Sequence, residues 1–442
     1  MHFATRCTLA GDKTGAAALM RKFIVAFAVV ACFGFATRSH AQTFGVELHN
    51  NLMPASGGMG GVSLARPQDL TSAVNANPAT LTQFKGTQFT FGGAWAEPTY
   101  NLTQTSNIPI VGPDPLVEPF SAKSTAPGMP NGNIGLTQDL SELGMPVTLG
   151  MGFVSSAGGM VDFRQVPQSH GTNSGMAIFN MPAMVGVGLT DRLTIGAGVG
   201  MGIAFFDGPF VGVGGMTPDY ALRGTAGANY QLGSATTLGA YYQTQQSFRF
   251  DNAFMLSLQN TIPLDVSMDL PENIGIGIAN SSLLDGALLL GVDVIYKLYN
   301  EAALFNNVYD NQLAVQLGSQ YTIGRVKLRA GYAWAENPID QTPGPNLGGI
   351  IQPGDLPVVR YTQGLLAVTC QHRISGGIGV TDIMPGVDFD MMAGGMLRDT
   401  EQLGAFTTTS VQGYWVGMGL TWRFGRGACE KLDTPERFSD AN

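Results

Sequence analysis

The chain has 442 residues, 60 of them glycine, only 12% charged, and a formal net charge of −9. The charged share is about half that of an ordinary soluble domain, near 25%, and no apolar run reaches the ~20 residues a membrane helix needs. A helical membrane bundle is thereby excluded, and the negative charge argues against nucleic acid as a partner. A secreted β-sandwich and a transmembrane β-barrel remain, since alternation dilutes the apolar content of a barrel.

The N-terminal stretch MRKFIVAFAVVACFGFA (20–36) sets Arg21 and Lys22 before an apolar run. Ser39 and Ala41 then supply small residues for cleavage. This predicts a signal peptide over 1–41, a mature start at Gln42 and a start codon at either Met1 or Met20. VVAC (29–32) offers a rival lipoprotein site at Cys32. Cys7 and Cys32 leave with the signal, and Cys370 and Cys429 lie too far apart in sequence to imply a disulfide framework.

From residue 87 the pattern has period two. QFTFGGAWA (88–96) puts Phe89, Phe91 and Trp95 on one face, and LTIGAGVGMGIAF (193–205) sets large apolar residues against Gly196, Gly198, Gly200 and Gly202. The same alternation marks fourteen segments: 87–97, 131–139, 146–156, 182–190, 192–205, 219–232, 235–250, 272–280, 286–298, 311–322, 325–335, 361–373, 375–383 and 411–424. Successive side chains of a strand point to opposite faces, so each segment has one apolar face.

The connections sort by length. Short ones fall near 140–146, 190–192, 233–235, 281–286, 323–325 and 374–377, and long ones at 98–130, 157–181, 206–218, 251–271, 299–310, 336–360 and 384–410. Turns on one side and loops on the other are the habit of outer-membrane barrels, and a sandwich has no reason for it. The expected fold is an all-β, 14-stranded transmembrane antiparallel β-barrel over 86–424. Trp95, Tyr296, Tyr332, Trp334, Tyr414 and Trp422 suit interfacial girdles. The segment ending at Phe424 resembles a recognition signal for the barrel assembly machinery. Residues 425–442 form a tail beyond it, expected in the periplasm.

Residues 43–84 are not strand-like. GVELHNN (45–51), ASGGMGGVSLA (55–65) and above all NANPATLTQF (75–84), with Asn77, Pro78 and Ala79, resemble the N-terminal hatch of the FadL/TodX outer-membrane transporters of long-chain fatty acids and aromatic hydrocarbons. LPENIGIGIANSSLLDG (270–286) is similar to that family's mid-barrel segment. The resemblance implies a hatch over 42–85 inside the lumen and passive uptake of a hydrophobic molecule. On that basis the glycine face points inward against the hatch, and leucine at Gly198 or Gly200 is expected to disturb plugging. The resemblance also implies a kink in the third strand, here 146–159, that opens a side door into the bilayer.

An apolar ligand needs apolar stepping stones. Loop 206–218 carries Phe206, Phe210 and Val211, and loop 251–271 carries Phe254, Met255, Leu256 and Leu258; in the family the corresponding loops form an outer groove. The family's inner pocket falls at Val46 and Leu48, with Phe44 beside them. Among charges on the non-lipid parity, Arg329 or Lys327 could pair with a carboxylate, and Arg223 and the others could equally pair with hatch acids such as Glu47 or Asp69. No Gly-x-Ser-x-Gly, Cys-x-x-Cys or phosphate loop is present, so no enzyme, metal or cofactor is expected. A general porin or a structural or adhesive barrel is the alternative. Expected partners are a hydrophobic ligand, outer-membrane lipid and lipopolysaccharide, around a monomer.

Overall fold

Strand pairing begins and ends at one seam: Thr87 stands opposite Phe424, the first strand residue against the last. The computed structural model describes residues 46–108, 115–208, 217–255, 263–344 and 356–425. Within them lie β1 (Thr87–Gln104), β2 (Phe120–Lys123), β3 (Met129–Asp139), β4 (Val147–Asp162), β5 (Asn173–Gly188), β6 (Leu193–Asp207), β7 (Thr217–Gln231), β8 (Thr236–Gln243) and β9 (Gln246–Met255). They continue with β10 (Pro263–Leu270), β11 (Asn273–Leu283), β12 (Leu288–Lys297), β13 (Gln312–Ile323), β14 (Val326–Ala335), β15 (His372–Met384), β16 (Val387–Leu403) and β17 (Thr407–Phe424). Two short helices are α1 (Leu70–Asn75) and α2 (Leu356–Leu365).

Fourteen of the strands form one closed antiparallel ring, with β17 returning to β1. β2 adds to the upper edge of β1, and β9 and β10 form a separate hairpin. The ring's outward parity carries the large apolar side chains. Ile274, Ile276 and Ile278 of β11 and Tyr414, Val416 and Met418 of β17 are all exposed, while the alternate residues are glycine, alanine or polar apart from the buried Trp415. A soluble core would bury these residues; lipid accepts them. From Tyr414 to Phe424 the strand makes ten steps of about 3.3 Å, which at a tilt near 40° spans about 25 Å, the height of a barrel's apolar band. Phe89 packs against Trp422 across the seam at one rim, with ring centroids 5.6 Å apart. Trp95 marks the other rim and donates to Glu97 at 2.9 Å.

Three sequence expectations are corrected. Residues 361–373 do not form a strand: α2 occupies 356–365, and the barrel strand starts at His372. The missing strand is β16, inside the stretch 384–410 expected as a loop, and it turns to β17 through three residues. Segment 235–250 is two elements, β8 in the wall and β9 outside it, so 251–271 is half of a hairpin rather than a plain loop. The signal and start-codon expectations and the tail 426–442 lie outside the described residues.

The lumen is filled by residues 46–86. This segment approaches the wall all the way round. Pro54 meets Gly92 and Gly419, Leu70 meets Gly135, Leu81 meets Gly150, and Pro78 meets Gly186 and Gly196. Asn77 meets Gly227, Leu64 meets Gly239 and Gly277, Val62 meets Gly291, Met59 meets Gly318, Gly60 meets Gly331, and Gly58 meets Gly377. A segment that touches so many strands of a closed ring from one side lies within it. The glycines are what allow the approach: a Cβ on Gly196 would stand 2.5 Å from the Ala79 nitrogen, closer than any real Cβ sits. The expectation for Gly198 and Gly200 is corrected on the same ground. Gly198 is crowded by Ala183 and Met184 of the neighbouring strand, and the nearest atoms to Gly200 are 3.7 Å away on Asn180 and Pro182.

Gly331→Val is expected to unseat the plug, because the obstacle is Gly60 backbone that cannot rotate away, whereas Gly200→Ala is expected to be neutral. Both should still show the heat-dependent gel shift of a folded barrel. Single-channel conductance should rise for the first variant alone.

Candidate functional site

Three acids organise the plug. Asp69 caps α1 by accepting from Ser72 N at 2.8 Å, and its second oxygen accepts from Ser56 N at 2.8 Å. Asp293, on β12, reaches inward and accepts from Ser63 N at 2.6 Å and Leu64 N at 2.9 Å. Glu47 takes a hydrogen bond from Arg223 Nη1 at 2.7 Å and from Asn273 Nδ2 at 3.0 Å. The Arg223 fork is completed by Pro271 O at 2.6 Å and Thr244 O at 2.9 Å. The three acids, Arg223 and Asn273 are almost fully buried. Asn77, Pro78 and Ala79 are docking residues. Asn77 accepts from Ala79 N at 3.1 Å, which caps the turn at Pro78–Gln83, and donates to Leu64 O at 2.7 Å and Ala228 O of the wall at 3.1 Å.

Beyond Glu47 the plug becomes part of the sheet. The ladder between β3 and β4 stops at Asn133–Val154, although β3 runs on to Met129 and β4 to Asp162. A bulge follows between Ser155 and Ala157 in the pairing of β4 with β5. Here the plug supplies the missing partners: Leu48 N donates to Ser156 O at 2.8 Å and Gly158 N donates to Val46 O at 3.0 Å. Above, Thr125 N donates to Asp162 O at 2.8 Å and draws the two sides together again. The wall thus has an eyelet between β3 and β4, level with Trp95, which stands in register with Pro130.

Two cavities meet across this plug strand. On one side Glu47 and His49 line a polar chamber with Asn50, Tyr241, Gln243 and Arg223. On the other, Val46 forms the floor of a small apolar cavity of about 50 Å³. Its walls are Gly158–Val161 of β4, Met176 of β5, Phe206 of β6 and Met268 of β10, and its roof is Leu304, Phe305, Tyr309 and residues 365–368. No charged side chain lines it. The roof is pinned by hydroxyls. Tyr100 donates to Gly364 O and accepts from Ala367 N at 3.0 Å, and Tyr309 donates to Leu366 O. Burial holds the Tyr309 phenol well above its usual range, so it remains a donor. Burial likewise pushes the thiol of Cys370, two residues beyond this roof, up to about 12, so it stays protonated.

The structure brings Val46 and Phe206 into one cavity. Leu48 packs in the same apolar cluster without lining the cavity. Phe206 is the inward end of β6 rather than a loop residue and stacks on Phe250 of β9 at 5.1 Å. Arg329 is bound by Asp390 at 2.5 Å and Gln320 at 2.7 Å, beside Gly58, and does not line the apolar cavity. Its partner lies on β16, which sequence reasoning left as loop. Phe44, Phe210 and Leu256, and the side chain of Phe254, lie outside the described residues. Met176, Met268, Phe305 and Tyr309 were missed. Their signal was an excess of apolar residues in segments expected to be loops.

The chain matches no protein-family model and no curated protein. Solved structures with the same fold include the toluene transporter TodX of Pseudomonas putida, with 15% identity and a TM-score of 0.62 over 84% of this chain and 98% of that one. A FadL homologue of Pseudomonas aeruginosa is similar, with 12% identity and a TM-score of 0.62 over 87% and 99%. The toluene transporter TbuX of Ralstonia pickettii follows, with 16% identity and a TM-score of 0.57 over 86% and 100%. The likeness is one of fold.

Removing one partner of a buried ion pair costs about 3–5 kcal/mol. Glu47→Ala is therefore expected to speed hydrogen exchange at the Leu48 and Gly158 amides by about 100-fold or more, while amides of β11 and β12 are unchanged. Equal protection in variant and wild type would show that the pair does not hold the plug strand.

Proposed function

We propose that the protein carries small hydrophobic molecules passively across the bacterial outer membrane, from the outside to the bilayer. The observation that carries this reading is the apolar cavity above the plug, a greasy site with no charged lining in a lumen that would otherwise be wet. Apolar solutes leave water for such a site without any energy input. The fold it shares with the toluene transporters and the FadL homologue supports the same reading. The eyelet between β3 and β4 supports sideways exit, since β4 residues 158–161 form both the cavity wall and the edge of the opening. A diffusion porin is the weaker reading, because a plug in contact with strands all round the ring leaves no wide water path. A purely structural barrel has no use for the cavity.

Uptake of labelled toluene and of labelled palmitate by intact cells tests the reading and identifies the solute class. Val46→Trp and Met268→Trp fill the cavity and are expected to lower uptake of the accepted solute by about tenfold or more, as overpacking does to a fitted site. Purified protein in planar bilayers should conduct little. Large steady conductance, with uptake indifferent to both substitutions, would replace the transporter by a porin.

A further inference from the structure

The eyelet's rim carries glycines on both sides. Gly128 and Gly132 lie on the β3 side and Gly158 and Gly159 on the β4 side. Pro130, between the first two, has no N–H that the departure of β4 could leave unpaired. Of Met129, Pro130 and Asn131, which stand between the β3 glycines, Met129 is the one that meets β4 at Gly158. Its methyl stands 3.0 Å from where a Cβ on Gly158 would be, and so reaches across the stretch where ladder hydrogen bonds are missing. The same Gly158 belongs to the wall of the apolar cavity, so the solute and Met129 are separated by the thickness of one strand. A thioether on three rotatable bonds changes shape at little cost, which suits a side chain that must yield and close again.

We propose that Met129 is the size-determining residue of the sideways passage: it bridges the rim, and the gap it leaves on rotating sets the widest solute that leaves the cavity. The proposal rests on the uptake reading above. Backbone cannot adjust the width, because the rim is fixed below by Asn133–Val154 and above by Thr125 and Asp162. A Cβ at Gly158 would stand 3.0 Å from both the Met129 methyl and the Met176 carbonyl oxygen, so the glycine leaves the methionine its place at the rim.

The test uses the full-length protein in cells without another such channel and three neutral probes of rising width: toluene, naphthalene and pyrene. Toluene binding to the purified protein is measured in parallel. Met129→Ala removes the bridge and is expected to raise pyrene uptake by about fivefold while toluene uptake changes less than about twofold, as expected of added space at an otherwise fixed rim. Met129→Trp overfills the rim and should cut uptake of all three by about tenfold with toluene affinity unchanged. The heat-dependent gel shift confirms assembly, and if the Trp variant fails to assemble, the Ala variant decides the matter alone. The same size dependence in wild type and Met129→Ala, with toluene binding intact, would overturn the role of Met129 and leave the uptake reading standing. Wild-type protein that neither binds nor takes up any probe would overturn both.

Discussion

In hydrocarbon, a backbone N–H or C=O without a partner costs several kcal/mol, and this constraint shapes the molecule. A sheet can meet it only by closing, and Thr87 against Phe424 is that closure. Closure then splits every strand into a face that sees lipid and a face that sees the lumen. A ring of fourteen strands leaves a lumen that must be filled or wet. Residues 46–86 fill it, and they reach the wall because the wall is bare glycine where they touch it. The glycine faces cost the strands propensity and backbone entropy. They gain a plug seated by backbone contact rather than by side chains alone.

The same constraint explains the one place where plug and wall exchange partners. β4 leaves β3 after Val154, and its freed groups are taken up by Val46 and Leu48. Any displacement of residues 46–48 therefore strips hydrogen bonds from the bent part of β4. The Glu47–Arg223 pair, between those residues and β7 three strands round the ring, restrains that displacement. The floor of the apolar cavity at Val46, the buried ion pair at Glu47 and the bond from Leu48 to β4 are consecutive features of one three-residue segment, so the cavity and the bent part of β4 share their support.

Most of the barrel was legible because lipid imposes a period of two along every span. The errors came where the period did not distinguish environments. In 235–250 the large apolar residues Leu238, Tyr242, Phe248 and Phe250 share one parity, yet Tyr242 is exposed on the ring and Phe248 and Phe250 are buried in the hairpin, because the chain leaves the wall between Gln243 and Gln246 while the parity runs on. In α2 the apolar residues Val358, Val359, Tyr361 and Leu365 serve a helix under the mouth, and a short apolar stretch reads equally well as a strand. β16 went unseen because its inward face carries Asp388 and Asp390, partners for Arg423 and Arg329, and such charges look like a loop when their partners are far away in sequence.

Alternation and turn spacing were enough to determine a membrane barrel, because each is a local consequence of a long-range environment, whereas the plug was expected only through the resemblance of residues 75–84 to a known family. Which strands carry which loop, which acid meets Arg223 or Arg329, and where the apolar cavity lies were decided only by closure. Those contacts join residues up to several hundred positions apart, and their pairing follows from the register around the ring rather than from any neighbour along the chain.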